Sequence, residues 1–274
     1  MNILAFSPYG LRSPVYSSLH LLLKYVGSNS ADVFQLHCNG AFTVCSRDVL
    51  DKSSNGASAS GSNSGRTIEH CLRCSSEQRE LAKFSSLPIK KITSYLSSED
   101  LSKTRKWVLE RDAYTLWNDE WYGLQIAESI KDTFFHMSGE PTPSFANKDH
   151  SALIRRISLV AVRMAVAMGR CINRERPDMV FAATSDDVLS RVSNHVVTAS
   201  LSSLVRFESS PDKKNVFVYR SGDTQPYVLP RKISSLKSAR EAVSSWPREM
   251  TREFDDILGY LGISESQLGM PLAR

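Results

Sequence analysis

The chain has 274 residues, of which 41% are hydrophobic and 23% charged, and this is enough for one large domain or two modest ones. Its net charge of +5 comes from 34 basic residues dispersed among 29 acidic ones. This mild excess does not indicate a nucleic-acid-binding protein, and we expect no nucleic-acid partner. The apolar runs are too short or too interrupted to cross a bilayer, so we also expect no transmembrane segment.

The first residues predict the opening unit of an α/β domain. A buried strand at 2–7 is followed by the turn Pro8-Tyr9-Gly10, a helix at 15–26 and a second strand at 31–37. A strand, helix and strand within so few residues are typical of a parallel sheet. The first strand-to-helix loop has one glycine, so the glycine-rich dinucleotide-binding pattern is absent.

Hydrophobic periodicity then predicts further alternation of helices and strands. We expect helices at 77–84, 98–109, 121–137, 149–175 and 186–200, and strands at 88–92, 177–183, 203–208 and 215–220. Helices at 235–245 and 247–261 follow. The sequence therefore predicts a Rossmann-like α/β domain at 1–233, with a cysteine-rich insertion at 38–75, and a helical C-terminal extension at 234–274.

Four of the five cysteines lie close together in sequence, as Cys38-x6-Cys45 and Cys71-x2-Cys74. A Cys-x2-Cys pair in a tight turn points both sulfurs at one ion. The segment 53–65 between the pairs has no side chain larger than asparagine, and a metal would hold its two ends together. We predict a structural zinc site made by these four thiolates, with His37 and His70 as substitute ligands.

Other interpretations of the four cysteines stay open. An iron–sulfur cluster also takes four cysteines, and two short-range disulfides or four unrelated core thiols would fit the same spacing. The first residues form a short apolar run without a basic start, so no signal peptide is expected. That favours a cytoplasmic location, with peripheral attachment to the inner membrane as an open alternative, and a reducing environment disfavours disulfides.

Several stretches, taken in order, resemble the two-domain GT-B-type glycosyltransferase-like proteins of bacterial capsule and O-antigen biosynthesis. The resemblance covers roughly 1–208. It rests on the opening strand through Gly10, Leu36-His37-Cys38-Asn39-Gly40, Cys45, His70-Cys71-Leu72-Arg73-Cys74, Tyr122-Gly123 with Ser129, Arg163, Pro177-Asp178 and Val205-Arg206-Phe207-Glu208.

The resemblance implies a Rossmann-like N-terminal half that binds the acceptor. In such proteins the C-terminal half binds the nucleotide-sugar, so this chain would need a partner subunit that supplies the donor domain. The acceptor would be a glycan or a lipid-linked glycan. Two departures put catalysis by this chain alone in doubt: Asp132 stands where an arginine is expected, and Ala183-Thr184-Ser185 replaces a polar Asn-Gly.

For sugar transfer, the best candidate for the catalytic base is Glu208, at the end of a predicted strand, although a solvated strand-end acid would look the same. The candidate substrate-binding residues are Tyr9, Gly10 and Arg12 in the first loop, Ser129, and Arg163 within the long helix. The sequence thus supports a glycosyltransferase-like protein, or a zinc-stabilised binding or scaffold subunit without catalysis.

Overall fold

The computed structural model of the chain describes residues 1–6, 19, 22–24, 32–42, 44–45, 68–183, 186–209, 215–220, 222–230, 256 and 259–260. The predicted first-loop residues Tyr9, Gly10 and Arg12 and the segment 53–65 lie outside this part of the chain. Most of the predicted extension at 234–274 lies outside it as well, although residues 256 and 259–260 are helical.

The described elements alternate much as the periodicity predicts. The strands are β1 (Asn2–Phe6), β2 (Asp32–His37), β3 (Ile89–Lys91), β4 (Glu120–Trp121), β5 (Leu124–Gln125), β6 (Met179–Ala183), β7 (Ser203–Ser209), β8 (Asn215–Arg220) and β9 (Tyr227–Pro230). The helices are α1 (Ile68–Ser85), α2 (Ser98–Leu109), α3 (Ala113–Asn118), α4 (Ile126–Ser138), α5 (Lys148–Glu175) and α6 (Val188–Thr198), with a 3₁₀ turn at Ile92–Tyr95.

Seven strands form one sheet in the order β3-β2-β1-β6-β7-β8-β9, and β4 pairs with β5 in a separate hairpin. The first five strands of this order run parallel, while β8 and β9 are antiparallel additions. The fold is therefore mixed α/β with a mostly parallel central sheet, which is compatible with the predicted Rossmann-like fold.

The centre of the sheet is its most buried part. In β1 the side chains of Ile3, Leu4, Ala5 and Phe6 have no solvent exposure, and all five residues of β6 are buried. Strands covered on both faces need continuous apolar runs, which explains why both were predicted from sequence. Burying each large side chain contributes about 1.5–3 kcal/mol, so this pair of strands anchors the domain.

The long helix α5 packs across this sheet through one apolar stripe. Its buried residues include Ile154, Ile157, Ala161, Met164 and Met168, which recur every three or four positions. Helices α2, α3, α4 and α6 all pack against α5. The helix therefore joins the helical layer to the sheet.

One predicted helix begins later than expected. We predicted a helix at 121–137, but residues 120–125 form the β4–β5 hairpin and α4 begins at Ile126. Tyr122 and Gly123 both have positive φ, which is the backbone of a tight two-residue turn. Gly123 adopts this conformation without strain, so the chain can reverse its direction here before α4 begins.

No described helix is long and apolar enough to span a membrane.

Candidate functional site

The order of connections reverses between β1 and β6 in the sheet. The chain leaves β1 toward β2 on one side, whereas β6 leads to β7 on the other. Open α/β sheets bind ligands at the carboxyl ends of the strands flanking such a reversal. The end of β6 is therefore the first place to look for a site, and Asp186 and Asp187 follow it.

Helix α6 begins at this edge, and its first backbone N–H groups are already hydrogen-bonded. The Asp187 carboxylate accepts from the backbone N–H of Leu189 (2.8 Å) and of Ser190 (3.2 Å). Thr133 Oγ1 on α4 accepts from the Val188 N–H at 2.8 Å. Asp187 is therefore the N-cap of α6. Because the cap is itself negative, this helix end does not favour an anion.

Asp132 stands where the resemblance predicts an arginine, and an arginine of another helix contacts it. Asp132, three residues after Ser129, is ion-paired with Arg191 of α6. Arg191 also lies 3.7 Å from the carboxylate of Asp186, whose side chain is 82% exposed. The edge next to β6 thus carries two carboxylates and one guanidinium.

Ser129 lies on α4 with little solvent exposure. Its hydroxyl donates to the Gln125 carbonyl oxygen one turn earlier in the same helix, at 2.8 Å. A hydroxyl engaged with its own helix backbone is a common structural arrangement for serine.

Arg163 joins two helices. Its Nε donates to Thr104 Oγ1 at 3.3 Å, and its terminal nitrogen donates to the Leu101 carbonyl oxygen at 3.4 Å, both on α2. Burial lowers the pKa of the guanidinium. Arg170 on the same face donates to Asp100 of α2 at 2.6 Å. Helix α2 therefore covers the face of α5 that carries Arg163 and Arg170.

Glu208 lies in β7, next to the antiparallel strands. Its carboxylate is 3.3 Å from the guanidinium of Arg206, which lies over the ring of Tyr219. The structure places the predicted site residues Ser129, Arg163 and Glu208 on three different elements, α4, α5 and β7.

The cysteines are partly brought together. Burial raises the pKa of the Cys38 thiol to about 11, and the nearby Cys74 and Cys71 act in the same direction. The backbone N–H groups of Ala41 and Gly40 oppose the rise, and the Ala41 N–H donates to the Cys38 carbonyl oxygen at 3.0 Å. The thiols of Cys38, Cys71 and Cys74 are therefore close enough to influence one another.

The local structure of the Cys-x2-Cys pair differs from the prediction. We expected a tight turn, but Cys71 and Cys74 lie in the first half of helix α1. Residues three apart still share one helix face, so the two thiols point to the same side. The side chains of Cys38, Cys45, Cys71 and Cys74 are all partly buried. Among the described residues, no three His, Cys, Asp or Glu side chains are arranged to hold a metal ion.

The donor types around Cys38 nevertheless suit zinc. Thiolate and imidazole are the preferred ligands of Zn²⁺ in structural sites, and backbone N–H groups turned toward a sulfur stabilise its anionic form. Asn39 and Gly40 in the turn Cys38–Ala41 have positive φ values of 47° and 73°. The donor types suit a thiolate-bound metal, but the described residues are not arranged to hold one.

His37 lies beside Cys38 and is buried, with 4% exposure. Its Nε2 is 2.7 Å from Gln35 Oε1, and Gln35 Nε2 donates to Ser85 Oγ of α1 at 2.9 Å. Burial lowers the pKa of His37 to about 4, so the ring is neutral at pH 7. A chain of hydrogen bonds thus links the end of β2 to the last turn of α1.

Two of these features were not predicted from the sequence: the hydrogen bonds of Gln35 and the pairing of Asp132 with Arg191. Gln35 stands between apolar residues in a strand predicted to be buried, and a buried amide requires hydrogen-bond partners. That signal was readable, but its partner Ser85 is 50 residues away. The pairing of Asp132 with Arg191 had no local signal, because the two residues lie on different helices.

The described part of the chain thus offers two regions for function, the polar edge beside β6 and the thiol cluster at the end of β2. The first region is indicated by the strand order of the sheet, and the second by the spacing of the cysteines. Compared with known proteins, the chain matches no family model, no curated protein and no solved structure.

Proposed function

We propose that this chain is a glycosyltransferase-like protein of bacterial surface-glycan assembly, and that it binds the acceptor while a partner subunit supplies the nucleotide-sugar site. The proposal is supported by the order of the sequence motifs and by the reversal of connections between β1 and β6. A glycan or lipid-linked glycan is the proposed acceptor.

One observation favours an acceptor over a nucleotide at the edge beside β6. Phosphate groups bind at helix N-termini that have free N–H groups and no competing anion. The start of α6 has neither, because Asp187 and Thr133 accept from its first three N–H groups. Exposed carboxylate and guanidinium groups hydrogen-bond well to sugar hydroxyls, which both donate and accept. Asp186 and Arg191 provide these groups.

The test is saturation-transfer NMR of the purified chain with methyl glycosides and, separately, with uridine diphosphate. We expect saturation transfer from the protein to at least one methyl glycoside and no saturation transfer to uridine diphosphate. The Asp186→Asn variant should weaken the glycoside signal. Glu99→Gln, which alters an exposed acid paired with Lys103 on α2, is the matched control and should leave it unchanged. Micromolar binding of uridine diphosphate would contradict the proposal that a partner subunit, and not this chain, binds the nucleotide-sugar.

The second candidate is a non-catalytic, zinc-stabilised binding or scaffold subunit. It is favoured by the structural contacts of the predicted site residues: Ser129 bonds to its own helix, Arg163 to α2 and Glu208 to Arg206. A folded chain that binds neither glycosides nor uridine diphosphate in the same experiment would support this candidate. If the natural chain transfers sugar together with a partner subunit and the Glu208→Gln variant does not, this second candidate is excluded.

Both candidates include a structural zinc held by the cysteine module, for which the sequence predicts Cys38, Cys45, Cys71 and Cys74. The support is the spacing of the four cysteines in the sequence and the effect of Cys71 and Cys74 on the pKa of the Cys38 thiol. Metal analysis of protein purified without added metal should find about one zinc per chain. Iron with sulfide would indicate a cluster instead, and absence of metal would contradict the module.

A further inference from the structure

The tip of the β4–β5 hairpin presents an aromatic ring to solvent. Tyr122 is 90% exposed, and its ring lies edge to face with that of Trp121, at 5.1 Å between centroids and with the planes at 89°. Trp121 lies in the same way against Trp107 of α2, at 5.0 Å. The three rings form a row from the helical layer to the surface, and most of the outermost ring is open to a ligand.

The backbone of this turn does not favour a tyrosine. Tyr122 and Gly123 have φ values of 49° and 82°, and two-residue turns of this kind prefer asparagine, aspartate and glycine. A bulky residue with positive φ is uncommon, and such residues occur often where a protein contacts a ligand. Packing does not account for the tyrosine either, because its ring is exposed. Both observations point to a role for the ring outside the folded chain.

The base of the hairpin is fixed to the neighbouring helices. The guanidinium of Arg111 lies 4.3 Å from the centre of the Trp107 ring, and its Nε donates to the Asp119 carboxylate at 2.5 Å. The Asp119 carbonyl oxygen accepts from the backbone N–H of Ile126, the first residue of α4, at 3.1 Å. A ring held on a fixed base loses little conformational freedom when a ligand binds, which favours affinity.

Hydrogen-bonding groups lie next to the ring. Glu120 and Gln125 are opposite each other in the hairpin and both are exposed, and Gln125 Nε2 donates to Glu120 Oε2 at 2.8 Å. A carboxylate and an amide together offer acceptors and donors. A pyranose ring matches this arrangement, because its C–H face stacks on an aromatic ring while its hydroxyls donate and accept around the rim.

The small size of the exposed apolar area favours a sugar over a protein or a membrane. A stable protein interface buries about 800 Å² on each partner around several apolar anchors. Leu101 and Leu109, the exposed leucines of α2, are six and two residues from Trp107 and therefore lie on other faces of the helix. The carboxylate of Glu120 disfavours an anionic lipid surface.

We propose that Tyr122 is a stacking platform for a pyranose ring and that Glu120 and Gln125 hydrogen-bond to its hydroxyls. The ligand class is a neutral hexopyranoside or the corresponding unit of a glycan. This is a second carbohydrate site, distinct from Asp186 and Arg191 beside β6, and it does not depend on the proposed function. Binding is non-covalent, and no bond of the sugar is broken there.

The test is a titration of the ¹⁵N-labelled chain with methyl α- and β-pyranosides of glucose, galactose and mannose, followed by NMR. At least one glycoside should shift the Gly123 amide and the Trp121 indole resonances. Tyr122→Asn suits the turn better, so it should keep or raise the melting temperature while the affinity at this site falls by about tenfold or more. Tyr122→Phe retains the ring and should retain binding. Tyr114→Ala, which removes another exposed tyrosine, is the matched control and should bind as the natural chain does.

Asp186→Asn separates this site from the edge beside β6, because it should leave the shifts of Gly123 and Trp121 unchanged. An unchanged sugar affinity in a folded Tyr122→Asn variant would overturn the inference, as would the absence of these shifts with every glycoside. Tyr122-dependent binding to phosphatidylglycerol vesicles without any glycoside binding would also overturn it, because the hairpin would then contact a membrane. A glycoside signal lost in Asp186→Asn alone would overturn this inference and leave the proposed function intact.

Discussion

Two polar clusters in this domain have opposite effects on the charged form of an ionisable group: one stabilises it and the other destabilises it. The Glu175 cluster consists of Lys90, Tyr95, Cys171, Arg174 and Glu175, and the Cys38 cluster consists of His37, Cys38, Cys71 and Cys74. Burial alone would raise the pKa of Glu175, but hydrogen bonds from Lys90 and Tyr95 outweigh it and hold the pKa below its usual value.

The Cys38 thiol has two other thiols near it, those of Cys71 and Cys74. Burial raises its pKa to about 11, and the two further thiols oppose its ionisation as well. The folded chain therefore stabilises the charge of Glu175 and destabilises that of Cys38. A bound cation would lower the pKa of Cys38, whereas the Glu175 cluster already contains the cations Lys90 and Arg174. The zinc of the proposed module would supply a positive charge to the Cys38 cluster.

The largest expected effect is metal removal. If zinc fills the Cys38 cluster, chelation should lower the melting temperature by roughly 5–10 °C, because several kcal/mol of binding energy are lost. Hydrogen exchange should increase in peptides covering the start of α1 and remain unchanged at the end of α5. Cys74→Ser should reproduce both effects without chelator.

Cys171 provides the contrast, because it belongs to the Glu175 cluster and is fully buried. Cys171→Ala should lower stability and yet keep the full response to chelation. An equal loss of chelator response in both cysteine variants would remove the distinction between the two clusters.

Glu175→Gln should destabilise the chain by about 2 kcal/mol in urea unfolding. The side chain is 15% exposed, and the variant replaces charged hydrogen bonds to Lys90 and Tyr95 by neutral ones. The exposed pair Glu99–Lys103 is the matched control, and Glu99→Gln should show no measurable change. Equal effects of the two substitutions would show that the Glu175 cluster has no special role.

The same substitution should change the pH dependence of stability. A carboxyl whose pKa is lower in the folded chain stabilises it above its unfolded pKa of about 4.3, and this contribution disappears as the pH falls through the folded value. The stability difference between the natural chain and Glu175→Gln should thus shrink below about pH 4. Urea unfolding at several pH values measures it, and a constant difference would contradict the assigned ionisation.

The smallest effect is expected at a site far in sequence from the Cys38 cluster. Ser97 caps α2, and its hydroxyl accepts from the Asp100 N–H while the Asp100 carboxylate accepts from the Ser97 N–H. Ser97→Ala should cost about 1 kcal/mol and leave the response to chelator unchanged. A changed chelator response would mean that α2 and the cysteine module are coupled.

Much of the fold was predictable because its signals are local. The strands β1 and β6 are apolar throughout, and the caps at Ser97 and Asp187 stand directly before their helices. The hairpin at 120–125 was missed because its buried residues continue the spacing of α4. The start of α1 was missed because polar side chains, including Cys71 and Arg73, hide the helical period.

The sequence by itself determined the mostly parallel α/β character, the N-caps and the presence of two cysteine pairs, because each depends on residues a few positions apart. Only the tertiary structure decided that Gln35 meets Ser85, that Asp132 meets Arg191 and that Arg163 is bound by α2. These partners are separated by about 50–60 residues, and their meeting depends on how helices pack on the sheet. Spacing along the chain does not encode that packing, because it is set by the fit of all the elements together.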